Sequence, residues 1–285
     1  MSNLKEIRTR ITSISKSMQI TSAMKMVSAA RLKKSQDKIE KMRPYAEKMN
    51  KLISDLSANS EVKAGLTDKR ENNKTLFIFL SSNKGLCGSF NTSLVKYFDD
   101  LRKNTFNNCQ IEVYCFGKKA EPILKRKGFN ITRVNTNIID KPNFKDLALI
   151  SEDLINGFLN KNYDKIVLVY NKFKNAAVQI PSHEQLLPIE NKELNISENN
   201  SYEFEPSSEE ILEDLLPNSI KIKTFKSLLE SIASENGSRM TAMHKATDNA
   251  KELQEGLKLT YNRQRQAAIT GEILEIVAGA EALKK

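Results

Sequence analysis

No glycine and no proline occurs in the first 43 residues, and no proline in the 68 residues that follow Pro217. Proline removes a backbone donor and clashes with the preceding turn, and glycine weakens a helix interior by about 1 kcal/mol relative to alanine. Stretches this long without them predict two long helices, one at each end of the chain. Between them lies a run of alternating strand and helix patterns. The ends carry one kind of element and the middle another, which predicts that the ends pair with each other.

Apolar residues support that pairing. Leu4, Ile7, Ile11, Ile14 and Met18 recur at alternating three- and four-residue steps, the seam of a coiled coil. After Met18 the apolar stripe changes phase to Ala23, Met24, Val27 and Ala30, then thins toward Met42, Met49, Leu52 and Leu56. The C-terminal seam is expected at Leu228, Ile232, Met243, Ala246, Ala250, Leu253, Leu257, Thr260, Gln264, Ala267, Gly271, Leu274 and Ala278, with small residues dominating its second half. A helix from about Asn3 to Ser57 would be about 80 Å long, and one from about Asn218 to Leu283 on the order of 100 Å. Neither is stable without packing an apolar face, because ordering costs roughly 1–2 kcal/mol per residue and each large buried aliphatic returns roughly 1.5–3 kcal/mol.

The middle reads as α/β. Leu76-Phe77-Ile78-Phe79-Leu80 is a short continuous apolar run, as in a strand buried on both faces, and further strands are expected at Gln110 to Phe116 and Lys165 to Tyr170. Helical patterns follow at Leu94 to Leu101 and Ala120 to Arg126, and another spans Phe144 to Leu159. Strands alternating with helices imply a mostly parallel sheet. Polar linkers at Glu61 to Lys74 and Asn191 to Ser208 bracket this region, with Tyr202 to Pro206 expected as a short edge strand.

Composition narrows the function classes. No segment reaches eighteen consecutive apolar residues, and Met1 is followed by polar, seam-forming sequence, so neither a membrane span nor a cleaved leader is expected. Cys87, Cys109 and Cys115 are odd in number and contain no Cys-x-x-Cys pair, and the only histidines are His183 and His244. Buried reduced thiols fit better than a zinc site or a disulfide framework. Gly85 and Gly88, between the first strand and its helix, match neither common phosphate-binding pattern. A tight turn with close helix packing is the alternative role for them. His183 follows Ser182, but neighbours in sequence do not make a catalytic triad.

The net charge of +10 is concentrated at the N-terminus, where residues 3–57 hold thirteen Lys or Arg against five Asp or Glu. Such a helical face suits nucleic acid, an anionic membrane surface or a partner with acidic loops, or it only keeps the helix solvated. Tyr45 is the only aromatic residue before Phe77, so base stacking has little to work with.

Many short motifs, in order along nearly the whole chain, resemble the gamma subunit of the rotary F-type ATP synthase. At the start these are Lys5-Glu6-Ile7-Arg8, Ile20-Thr21-Ser22-Ala23-Met24-Lys25-Met26-Val27, Lys34-Ser35-Gln36-Asp37 and Arg43-Pro44-Tyr45-Ala46-Glu47. Centrally they are Gly85-Leu86-Cys87-Gly88, Asn171-Lys172-Phe173 and Gln185-Leu186-Leu187-Pro188. The ending is the most specific: Ser238-Arg239-Met240, Ala246-Thr247-Asp248-Asn249, Tyr261-Asn262, Arg265-Gln266-Ala267-Ala268-Ile269-Thr270 and Glu275-Ile276-Val277. The chain departs from the family at Asn83-Lys84, where Asp-Arg is common, and carries no cysteine-bearing regulatory insert of the chloroplast kind.

The resemblance implies a long antiparallel coiled coil of N- and C-terminal helices (1–60 and 209–285) plus a central Rossmann-like α/β domain (74–195) with a mostly parallel sheet. It implies a central-stalk rotor that turns inside a ring of alternating alpha and beta subunits and couples proton flow to ATP synthesis. Catalysis then belongs to the beta subunits, and no cofactor, metal or nucleic acid is expected. The family's beta-subunit contacts fall on Met24, Lys25, Arg239, Arg265, Gln266 and Thr270. The epsilon subunit and the c-subunit ring are further implied partners, at the cytoplasmic face of a bacterial inner membrane and without membrane insertion.

Overall fold

A computed structural model describes residues 2–57, 65–71, 73–107, 109–189, 205 and 207–282. In chain order the elements are α1 (Ser2–Ser57), β1 (Lys74–Leu80), α2 (Phe90–Thr105), β2 (Gln110–Phe116), α3 (Glu121–Arg126), β3 (Asn130–Asn135), α4 (Asn137–Asp140), α5 (Phe144–Leu159), β4 (Lys165–Phe173), β5 (Gln179–Leu187) and α6 (Ser208–Ala282). Two compact units result, Met1–Val27 with Met240–Lys285, and Ser28–Arg239. The division falls inside the two long helices rather than at the polar linkers. The expected edge strand at Tyr202 to Pro206 lies, except for Glu205, outside the described residues.

In the first unit the start of α1 packs on the end of α6. Ile7 and Met243 are buried, and Thr21 Oγ1 lies 2.8 Å from Thr247 Oγ1 in a hydrogen bond between the helices. The two segments run in opposite directions from that bond. Burial along α1 steps through Leu4, Ile7, Ile11, Ile14, Met18, Thr21 and Lys25. The same stepping continues in the second unit through Ser28, Leu32, Ser35, Ile39, Met42, Ala46, Met49, Ile53 and Leu56.

The expected change of phase after Met18 is therefore corrected: Ala23, Val27, Ala30 and Leu52 are exposed, and the heptad continues unbroken. The small hydroxyl residues Thr21, Ser28 and Ser35 hold those places because close helix approach needs little volume and their hydroxyls can bond locally, as Ser35 does to the Arg31 carbonyl.

The C-terminal seam needs the same correction. Half-buried or buried positions are Met243, Thr247, Ala250, Gln254, Leu257, Tyr261, Gln264, Ala268 and Gly271, whereas Leu253, Thr260, Ala267, Leu274 and Ala278 face outward. About seventeen residues beyond the Thr21–Thr247 bond in each direction, Leu4 comes level with Gln264. The last turns of α6 thus have no α1 beside them, and every residue from 272 to 281 is exposed.

The second unit is built on a five-stranded sheet in the order β3-β2-β1-β4-β5. β1 to β4 are parallel, and β5 closes one edge antiparallel to β4. Alternation along the inner strands splits the core in two. Leu76, Ile78, Leu80, Ile166, Leu168 and Tyr170 pack with α5, the end of α1 and the first half of α6. Phe77, Phe79, Val113, Cys115, Val167 and Val169 pack with α2 and α3, where Phe77 meets Phe98 at 4.9 Å between ring centroids. A parallel sheet covered on both faces needs this near-continuous apolar reading.

β3 and β5 were not expected. They are edge strands with largely polar sequence, and β5 contains Pro181. α6 begins one residue before the 209–285 span that the resemblance implies and ten before the start near Asn218 read from the apolar pattern, and it carries Pro217 in its interior; Leu212, Leu216 and Ile220 bury on either side of it and offset the lost hydrogen bond.

Candidate functional site

Two regions hold the residues singled out in sequence, one in each unit. In the first unit, Arg265, Gln266 and Thr270 lie on the exposed side of α6, off the seam set by Gln264, Ala268 and Gly271. The Thr270 hydroxyl donates to the Gln266 carbonyl at 2.9 Å, leaving the Arg265 and Gln266 head groups at the surface. Met24 and Lys25 are half-buried on α1. Alongside these polar groups α6 exposes Leu253, Leu259, Ile269, Ile273, Leu274, Ile276 and Val277, and α1 exposes Ile20, Met26 and Val27. Large apolar side chains exposed in this number along one helix make it a candidate binding surface. This apolar component was missed in sequence because Leu253 and Leu274 were assigned to the seam.

In the second unit, the turn from Ser81 to Gly88 stands at the carboxyl end of β1, where connections leave toward β2 on one side and β4 on the other. That is the switch point at which sheets of this type commonly bind ligands. The turn needs unusual backbone: Gly88 and Leu86 adopt positive φ of 59° and 61°. Nearby, Gly117 has φ 91°, and a side chain there would collide with the Ser81 carbonyl oxygen.

α6 is tied to this turn. The Ser238 hydroxyl donates to the Cys87 carbonyl at 2.7 Å. The Arg239 guanidinium donates to the carbonyls of Lys84 at 3.0 Å and Gly85 at 3.3 Å, and to Glu235 Oε1 at 2.7 Å. Arg239, expected among the partner contacts, is only 6% exposed and directs these donors inside the chain. Burial pushes the Glu235 carboxyl above the usual carboxylate range, and the Arg239 charge pulls it back.

The cysteines and histidines have structural partners. All three cysteines are free thiols, and burial pushes Cys115 up to about 12. His183 Nδ1 pairs with the Tyr97 hydroxyl at 2.6 Å, while Ser182 donates to the Ile180 carbonyl, so the adjacent serine and histidine do not form a nucleophile pair. His244 lies 3.3 Å from Asp248 on the exposed side of α6. Among the described residues no group of three or more His, Cys, Asp or Glu is arranged to hold a metal, and no helix is long and apolar enough to cross a membrane.

Comparison with known proteins places these features. The family model described as ATP synthase matches residues 3–283. The ATP synthase gamma chain of Christiangramia forsetii is 53% identical over 285 residues, covering 99% of each chain. That of Flavobacterium johnsoniae is 52% identical over 286 residues with the same coverage. Among solved structures, the central stalk and c-ring of the Tetrahymena thermophila mitochondrial ATP synthase contains a chain 29% identical, with a TM-score of 0.57 over 80% of this chain and 99% of that one. A chain from the Euglena gracilis mitochondrial ATP synthase shares the fold at 20% identity and a TM-score of 0.69, over 99% of this chain and 95% of that one.

Proposed function

Because the chain belongs to the ATP synthase gamma-chain family, we propose that it is the central-stalk rotor of an F-type ATP synthase. It turns inside a ring of alternating alpha and beta subunits, couples transmembrane proton flow to the formation of ATP from ADP and phosphate, and modulates ATPase activity. The chain has no chemistry of its own; the beta subunits catalyse. It is a peripheral subunit at the cytoplasmic face of the bacterial inner membrane, and it takes no cofactor, metal or nucleic acid. Its remaining partners are the epsilon subunit and the ring of c subunits, which the α/β unit meets.

The observation that supports this reading best is the bare end of α6, a single helix with Ile273, Leu274, Ile276 and Val277 exposed beyond the reach of α1. An apolar helix end left without a packing partner in its own chain gains stability from a sleeve around it. A sleeve of apolar and weakly polar contacts also permits turning, since contacts without fixed strong ion pairs exchange at low cost.

Met24 supplies an apolar contact and Lys25, Arg265, Gln266 and Thr270 polar contacts to beta-subunit loops, the guanidinium being suited to hold a carboxylate with two bonds. Arg239 acts less directly, by fixing the turn from Lys84 to Gly85. Arg265→Ala combined with Gln266→Ala is expected to lower coupled ATP synthesis by assembled complexes about tenfold, the equivalent of one charge-assisted contact. Wild-type synthesis rates in that variant would remove those two residues from the contact. Failure of the chain to co-purify with alpha and beta subunits from its own host would remove the rotor assignment itself.

A further inference from the structure

Beside the turn held by Arg239, the α/β unit contains an open cavity of about 480 Å³, within the range of about 300–1,000 Å³ usual for small-ligand sites. Three features give it chemical direction. Arg31, Lys34 and Lys38 enter from α1, Lys84 from the turn after β1, and Lys141 from the segment after α4. Among the described residues, the side chains of Arg31, Lys34, Lys84 and Lys141 make no ion pair or hydrogen bond, and Lys38 Nζ makes only a 3.4 Å contact with the Pro142 carbonyl. The acidic residues on the wall are Asp140 and Glu235, and Glu235 is already paired with Arg239.

The second feature is Asn83. The residue is only 6% exposed, and its Nδ2 donates to the Thr136 carbonyl at 2.7 Å. Its Oδ1 is buried without a partner. An orphan acceptor of this kind costs about 1–3 kcal/mol unless something donates to it. The third is position, at the carboxyl end of β1 and next to the switch point of the sheet.

A ligand that satisfies all three brings at least two negative charges to the lysines and a hydroxyl or N–H to Asn83. We propose that this cavity binds a sugar phosphate, either free or as part of a nucleotide, its phosphate on Arg31, Lys34 and Lys141 and a sugar hydroxyl donating to Asn83 Oδ1. An acidic peptide would offer similar charge, but a concave site of this volume favours a small solute over a chain that must enter and leave it.

The test is calorimetric titration of the purified full-length chain with ribose 5-phosphate, ADP, inorganic pyrophosphate and a hexaglutamate peptide. Saturable binding of ribose 5-phosphate or ADP is expected, weakened on raising salt from about 50 to about 200 mM. Ribose 5-phosphate binding alone assigns the free sugar phosphate, and tighter ADP binding assigns the nucleotide. Lys34→Gln with Lys141→Gln, both exposed and harmless to folding, should weaken it about tenfold, and Asn83→Asp, which turns the acceptor into an anion, at least as much.

Absence of binding at millimolar concentration overturns the proposal, as does binding unchanged in the lysine variant. Pyrophosphate binding as tight as ribose 5-phosphate would make this an unspecific anion patch and also overturn it. So would hexaglutamate binding that responds to the same variants while the sugar phosphates do not bind. None of these outcomes bears on the rotor assignment, which rests on assembly and coupled synthesis.

Discussion

Arg239 and Glu235 lie one helical turn apart on α6, and both are almost wholly withdrawn from water. Removing one partner of such a pair leaves an uncompensated buried charge, at a cost of about 3–5 kcal/mol, whereas replacing both by apolar residues of similar size is often close to neutral. Arg239→Met should therefore lower the stability of the chain by about 3–5 kcal/mol in urea unfolding, and adding Glu235→Leu should recover most of that loss. Incomplete recovery is expected, because the guanidinium also serves the carbonyls of Lys84 and Gly85, which neither substitution can satisfy. If the single and double variants are equally destabilised, the turn contacts outweigh the ion pair. The motif that contains Arg239 was visible in sequence, but its inward direction was not: a partner-facing arginine and a loop-anchoring arginine read alike until the opposing carbonyls are placed.

At the scale of elements, α1 and α6 share a device that hydrophobicity alone misplaced. Their seams keep steps of three and four residues throughout, but Thr21, Ser28, Ser35 and Gln254 occupy steps where an apolar residue was sought. The search for apolar residues slid onto Val27, Leu253 and Leu274 instead. These are apolar for a different reason, being on the outward surface.

The experiment that separates the two classes is a paired substitution. Ile7→Ala, at a 7% exposed seam position, should destabilise the chain by about 2–5 kcal/mol. Leu253→Ser, at a 62% exposed position, should change it by no more than about 0.5 kcal/mol. Equal losses would restore Leu253 to the seam. The inner strands were legible because burial on both faces writes an uninterrupted apolar run, so β1 and β2 and the helix α5 fall close to where their sequences place them. The edge strands β3 and β5 lack that signature. Each has a partner on one side only, and neither NITRVN nor QIPSHEQLL alternates cleanly enough to betray it.

For the whole molecule, the fold class was readable from the placement of glycine and proline together with the strand runs, while the partner surface was readable only as isolated motifs. What sequence could not supply was the register of α1 on α6, which decides where α6 begins to stand alone. Leu274→Ser with Ile276→Ser tests that register together with the role in assembly. Both residues are more than 60% exposed, so the melting of the isolated chain should stay within a few degrees of wild type. Reconstitution with alpha and beta subunits should nevertheless yield complexes with reduced coupled activity. A large drop in melting temperature would instead mean that the helix end packs within its own chain.

That bare helix end has a consequence for the cell as well as for the machine. A surplus copy, made when no ring is waiting, would display a greasy peg to every other newly made protein and to its own siblings, an invitation to clump. Production of this chain must therefore be matched in number and in time to that of the subunits that will sheathe it, and any excess is material for degradation.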